Sequence, residues 1–173
     1  TIVLGLTDLN ALRANRVLAV SNTSSVLVTT SAAFTDLDGR AVIALAATSQ
    51  FPRGVFFFPD TVAPQLVAMS LEVDPGSVTL TFSETVDITT FVAAGLKRLS
   101  SASSTGAVNL DNAGSTTLAD ASHVFVCALS DSVLNSIKSE ALLETSPSDT
   151  FVAVSSTTIV DMNGNSIVEV PST

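Results

Sequence analysis

The chain repeats itself at a fixed offset of 125 residues, with no gap. Leu9-Asn10-Ala11-Leu12-Arg13 lies over Leu134-Asn135-Ser136-Ile137-Lys138. Val26-Leu27-Val28 lies over Phe151-Val152-Ala153, and Val42-Ile43 over Ile167-Val168. Between them, Ala33-Phe34-Thr35-Asp36-Leu37-Asp38-Gly39 lies over Thr158-Ile159-Val160-Asp161-Met162-Asn163-Gly164. Apolar positions stay apolar, Asp36 meets Asp161 and Gly39 meets Gly164. Such a repeat is one structural unit used more than once, and it dictates how the chain is divided.

Residues 1–48 match only the closing part of a repeat, residues 65–173 form a complete one, and residues 49–64 join them. Half a β-sandwich has no second sheet to cover its inner face. The first part is therefore expected to be completed by upstream sequence or by a neighbouring copy. Either route gives a linear array, and a head-to-tail contact that does not close gives a helical filament. The join carries Pro52, Pro59 and Pro64, as linkers do. Yet four of the nine Phe lie between Phe51 and Phe58. Phe51, Val55, Phe56, Phe57 and Phe58 form either the first strand of the next sandwich or a strand that docks into a neighbour. They are the candidate assembly residues.

Within the complete repeat, short segments alternate between apolar and polar residues and are separated by turn signals. Residues 66–73 read as a strand, Asp74-Pro75-Gly76 as a tight turn, and residues 77–82 as a second strand with Val78, Leu80 and Phe82 facing in. Further strands are expected near 95–100, 107–110, 122–129, 150–155 and 166–170. One short helix interrupts them near residues 131–139, where Ser130-Asp131-Ser132 offers capping oxygens. Val133, Leu134 and Ile137 share its apolar face. Residues 7–12 are its counterpart in the first repeat. Seven or so strands in this length predict an all-β protein, an immunoglobulin-like β-sandwich with one short helix.

Composition excludes several functions. Apolar residues make up 46% of the chain and charged residues 13%, so it is neither disordered nor a solvating tail. The seven Lys and Arg form no patch that could neutralise phosphates, and the net charge of -9 opposes nucleic-acid binding. No apolar run reaches the roughly 18 residues of a membrane helix, so membrane insertion is not expected. Residues 1–7 lack the basic start of a secretion signal, so any such signal was removed or lies upstream. Ser and Thr supply about a quarter of the chain, while Trp and Tyr are absent. This balance suits a secreted, glycosylated β protein at the cell surface better than a cytosolic enzyme.

Three stretches carry a family resemblance. Val78-Thr79-Leu80-Thr81-Phe82-Ser83-Glu84-Thr85-Val86 resembles a strand of bacterial Ig-like repeats found in large secreted adhesins. Thr158-Ile159-Val160-Asp161-Met162-Asn163-Gly164-Asn165 resembles the closing turn of the same repeats. Leu134-Asn135-Ser136-Ile137-Lys138 resembles the short helix in versions on protist and algal surface proteins. The resemblance covers residues 62–172 and recurs in part over 5–46. It implies tandem arrays outside the cell, glycosylated and in some cases assembled into fibrils. One position departs from the pattern: Arg40 stands where the second copy has Asn165.

Candidate sites are few. His123 is the sole histidine, flanked by Val124, Phe125 and Val126 with no nucleophile beside it, and reads as a strand-edge residue. Cys127 is the sole cysteine and reads as a buried thiol if it shares a face with Phe125, or else as an intermolecular bridge. The carboxylate pairs Glu84/Asp87 and Asp36/Asp38 show no neighbours suited to acid–base work. No catalytic residue is expected. Asp161, Asn163 and Asn165 have the alternating oxygens of a calcium loop but also the form of an Asx turn. Calcium is the only cofactor the sequence suggests. Asn22-Thr23-Ser24 is the single N-glycosylation sequon. Clustered Ser and Thr offer O-glycan sites or solvated loops.

The expected function is a structural subunit of an extracellular fibre or surface array, whose partners are copies of itself and covalent glycans. The alternative is a carbohydrate- or calcium-binding module in cell adhesion. The absence of Trp and Tyr weighs against sugar stacking.

Overall fold

The computed structural model describes residues 3–18, 20–21, 24–46, 57–99, 108–110, 112–115, 121–139 and 151–171. The chain separates into two compact units. The first comprises residues 1–14 with 61–173, and the second residues 15–60. Helix α1 (Leu6–Ala14) thus belongs with the complete repeat, whereas the expected first segment ran through residue 48.

The first unit is mostly β, in two antiparallel sheets compatible with an all-β sandwich. The larger sheet runs β1 (Leu66–Glu72), β2 (Ser77–Asp87), β6 (Ala121–Leu129), β5 (Asn112–Ser115), and β8 (Val160–Asp161) pairs with the far end of β2. The smaller sheet runs β4 (Val108–Asn109), β3 (Leu96–Leu99), β7 (Phe151–Val154). Helix α2 (Asp131–Ser139) follows β6 and packs on β4.

Local chemistry explains these elements. β2 alternates the apolar residues Val78, Leu80 and Phe82 with hydroxyl residues, a pattern that suits a pleated surface. Val78, Leu80 and Phe82 are buried, as expected. Ser77, Thr79 and Thr81 are half-buried rather than exposed. β2 lies between β1 and β6, and those neighbours shade its outer face. The β1–β2 turn closes through the amide of Gly76, which donates to Glu72 O at 3.0 Å. Gly76 has φ 90°, and a Cβ there would come within 2.6 Å of Leu134 Cδ1. Glycine satisfies both demands.

α2 begins where Ser130 Oγ accepts from the amide of Val133 at 3.4 Å. Asp131 in its first turn and Lys138 in its last suit the helix dipole. Val133 and Ile137 point into the core. There they join Val78, Leu80, Phe125, Cys127, Ile159 and Ile167. Phe91 packs edge-on to Phe125 with ring centroids 4.6 Å apart. Cys127 and Phe125 share the inward face of β6, and burial pushes the Cys127 thiol above its usual range. His123 is half-buried on β6.

The expected strand at 166–170 is instead a strap. Val160 and Ser166 form a single bridge, as do Val154 and Val170. Val168 N also donates to Pro64 O at 2.9 Å. The segment passes from β8 of the larger sheet to β7 of the smaller one, so it pairs with each at one point only. Ile167 is buried on the way.

The second unit, described by itself, is an open hairpin with bridges Thr29–Leu45 and Thr35–Ala41. None of its described residues is buried.

Candidate functional site

The offset of 125 residues recurs in local geometry, bond by bond. The bridges Thr29–Leu45 and Thr35–Ala41 correspond to Val154–Val170 and Val160–Ser166. Val42 N donates to Phe34 O at 3.0 Å, and Ile167 N to Ile159 O at 3.1 Å. Asp36 N donates to Arg40 O at 2.9 Å, and Asp161 N to Asn165 O at 3.0 Å. Gly39 and Gly164 hold φ 78° and 87°. α1 and α2 are each nine residues long and occupy matching positions.

Burial does not recur. Ile159 is 0% exposed and Ile167 2%, whereas their counterparts Phe34 and Val42 are 58% and 37% exposed. Val28 is exposed where Ala153 is buried. The same hairpin therefore lies under a second sheet in one copy and carries its apolar face uncovered in the other.

The turn residues illustrate what the sequence left open. Asp161 is buried. Its Oδ1 accepts from the amides of Asn163 at 2.8 Å and Asn165 at 2.7 Å. Its Oδ2 accepts from Asn165 Nδ2 at 2.8 Å. Both carboxylate oxygens thus serve donors of their own turn, the geometry of an Asx turn. Asn163 is exposed. In the first copy Asp36 Oδ1 takes the amides of Asp38 at 3.0 Å and Arg40 at 2.8 Å. Arg40, standing in place of Asn165, sets its Nη1 3.2 Å from Asp38 and 3.8 Å from Asp36. A guanidinium has replaced the amide as the side-chain partner.

The other carboxylates have separate roles. Asp87 caps the short 3-10 turn Ile88–Thr90, taking the amide of Thr89 at 3.1 Å. Glu84, 4% exposed, faces Arg13 of α1, whose Nη1 lies 3.3 Å from Oε2. Beside it, Thr85 Oγ1 donates to the carbonyl of Asn10, also on α1, at 3.3 Å. A carboxylate oxygen of Glu84 and one of Asp161 lie within 4.8 Å of each other. The guanidinium of Arg13 offsets that crowding of negative charge. Glu84 and Thr85 sit where the β2–β6 register shifts, between Thr81 and Val86. The irregularity turns successive side chains inward and so brings both against α1. In the sequence Glu84 stands only as one of a carboxylate pair, and nothing local marks Arg13, Asn10 or Thr85 as its neighbours.

Among the described residues, a groove of about 340 Å³ lies beside β3 and β7. Val92, Gly95, Lys97, Ser155 and Glu169 contribute to it. It is lined by no aromatic ring, so it offers no platform on which a sugar could stack. Of the candidate assembly residues, Phe57 is half-buried and Phe58 exposed. Phe51, Val55 and Phe56 lie outside the described residues, as does the sequon residue Asn22.

The fold and these contacts define a mostly β protein of two antiparallel sheets with a recurrent helix-and-hairpin unit. Compared with known proteins, the chain matches no family, no curated protein and no solved structure.

Proposed function

We propose that this chain is a structural unit of an extracellular fibre or surface array, built head to tail from immunoglobulin-like repeats and glycosylated. One observation carries the reading: a single hairpin design occurs twice, once buried under strands and once with its apolar face open. Burying one Val, Ile or Phe side chain is worth roughly 1.5–3 kcal/mol. The uncovered set in the second unit, including Val26, Val28, Phe34 and Val42, therefore favours being covered. In the complete repeat, strands of the 66–129 region and β8's partner β2 supply that cover. An equivalent segment, from another repeat, is what the open hairpin fits. Repetition of that fit produces a line of repeats rather than a closed particle.

The test is electron microscopy of native material labelled with an antibody raised against residues 61–173. Regularly spaced label along filaments is the expected result. Label confined to dispersed single molecules would sink the proposal. Intact-mass analysis of the same material is expected to exceed the mass of the bare polypeptide, through sugars on Asn22 and loop Ser or Thr.

A further inference from the structure

α1 and α2 are the same helix in two repeats, yet a face that is exposed on α2 is half-buried on α1. On α2, Val133 and Ile137 are buried, while Asn135, Lys138 and Ser139 are exposed. On α1, the counterparts of those exposed residues are Asn10, Arg13 and Ala14, and all three are half-buried. α1 packs against β2 and β6 of the complete repeat. The contact is specific: Arg13 pairs with Glu84 at 3.3 Å, and the Asn10 carbonyl accepts from Thr85 at 3.3 Å. The outward face is kept in kind between the two helices, as Asn10 and Asn135, Arg13 and Lys138, Ala14 and Ser139. The inward face differs at one position, where Asp8 stands opposite Val133, while Leu9 and Leu134, and Leu12 and Ile137, stay apolar.

We infer that the face of α2 formed by Asn135, Lys138 and Ser139 is a docking surface for the Glu84–Thr85 corner of the next repeat in the array. The occupant is a further copy of this repeat, and its chemistry is fixed by the contact already present. That copy must bring a buried carboxylate to meet the Lys138 ammonium and a hydroxyl donor to meet the Asn135 carbonyl. Each helix then has two roles, closing its own repeat with Val133 and Ile137 and carrying the following one on its other side. A free second molecule is a poorer occupant, because its own Glu84 corner already holds its own α1. The inference rests on the proposed tandem array, and specifies how neighbouring repeats meet.

The test joins a second copy of residues 49–173 directly after Thr173 of the full chain. Arg13 and Glu84 are 71 residues apart. The fusion sets the first copy's Lys138 at that same distance before the second copy's Glu84. Amine acetylation is then followed by mass spectrometry, with a Ser132→Ala mark in the second copy to tell the two Lys138 peptides apart. Lys138 of the first copy should react about fivefold more slowly than Lys138 of the second, as for a partly exposed ion pair. Glu84→Gln in the second copy should abolish the difference. Equal rates at both lysines in the unaltered fusion overturn the inference, as does protection that survives Glu84→Gln. Failure here leaves filaments in native material untouched. Protection here without native filaments removes only the fibre reading.

Discussion

Arg13 and Glu84 meet at 3.3 Å although 71 residues separate them, and the carboxylate is almost wholly withdrawn from solvent. A buried charge that loses its counter-ion retains its desolvation cost. Arg13→Ala is therefore expected to lower stability by about 1–3 kcal/mol, discounted because Arg13 is itself partly exposed. Adding Glu84→Gln should recover part of the loss. Urea unfolding of the two single variants and the double variant checks this, and strict additivity of the two effects would contradict the pairing.

The two copies of the hairpin give a second prediction. Ile159→Ala should cost about 2–5 kcal/mol, since it opens a cavity in a closed core. Phe34→Ala, at the matching but exposed position, should change the stability of the isolated chain by about 0.5 kcal/mol or less. If the proposed array forms, the effect of Phe34→Ala should appear in assembly, as shorter or fewer filaments. Equal destabilisation at both positions in the isolated chain would mean that the open face is already covered.

Glycine substitution separates backbone from packing effects. Gly76→Ala meets both a positive φ and Leu134, and should cost about 2–4 kcal/mol. Gly164→Ala meets only the positive φ, with open space around it, and should cost about 1–2 kcal/mol. Leu134→Ala should relieve part of the first loss and none of the second. Thermal melts of the three single variants and of the two double variants carrying Leu134→Ala check this.

Cys127 supplies a pH dependence. Burial raises its folded-state pKa above the ordinary value of 9.0. The folded state holds the thiol proton more tightly than the unfolded state. The stability this contributes is complete below pH 9.0 and is lost as pH rises from there through the folded-state value. Unfolding curves between neutral pH and about pH 10 should show a decline that Cys127→Ala reduces. A thiol reagent should also react with the native protein far more slowly than with the urea-unfolded chain.

Much of this architecture is legible in the chain because its signals are local. Val78, Leu80 and Phe82 alternate with hydroxyl residues, so their burial follows from period alone. Residues 131–139 declare a helix through the Ser130 cap and the spacing of Val133 and Ile137. Three residues beyond Thr81 the same reasoning fails. The register shift of β2 places Glu84, Thr85, Val86 and Asp87 all in buried positions, which no alternation rule anticipates. β5 was also missed. Its Asn-Ala-Gly-Ser has no β-branched or aromatic residue, and only pairing with β6 makes it a strand. The Arg13–Glu84 contact has no signal in either neighbourhood, because it depends on a distant helix meeting an irregular strand.

The strap at 166–170 has a consequence for synthesis. Ile167 and the bonds to Val154 and Pro64 close the sandwich, and they come from its final residues. A growing chain that has passed Leu129 has most of the larger sheet but no lid, and it waits for nearly forty further residues. Non-local closure of this kind is slow compared with helix or hairpin formation. In the proposed array, each repeat would thus be completed only as the next begins to emerge. At any moment of elongation one unfinished sandwich, and not several, stands open to misassembly with its neighbours.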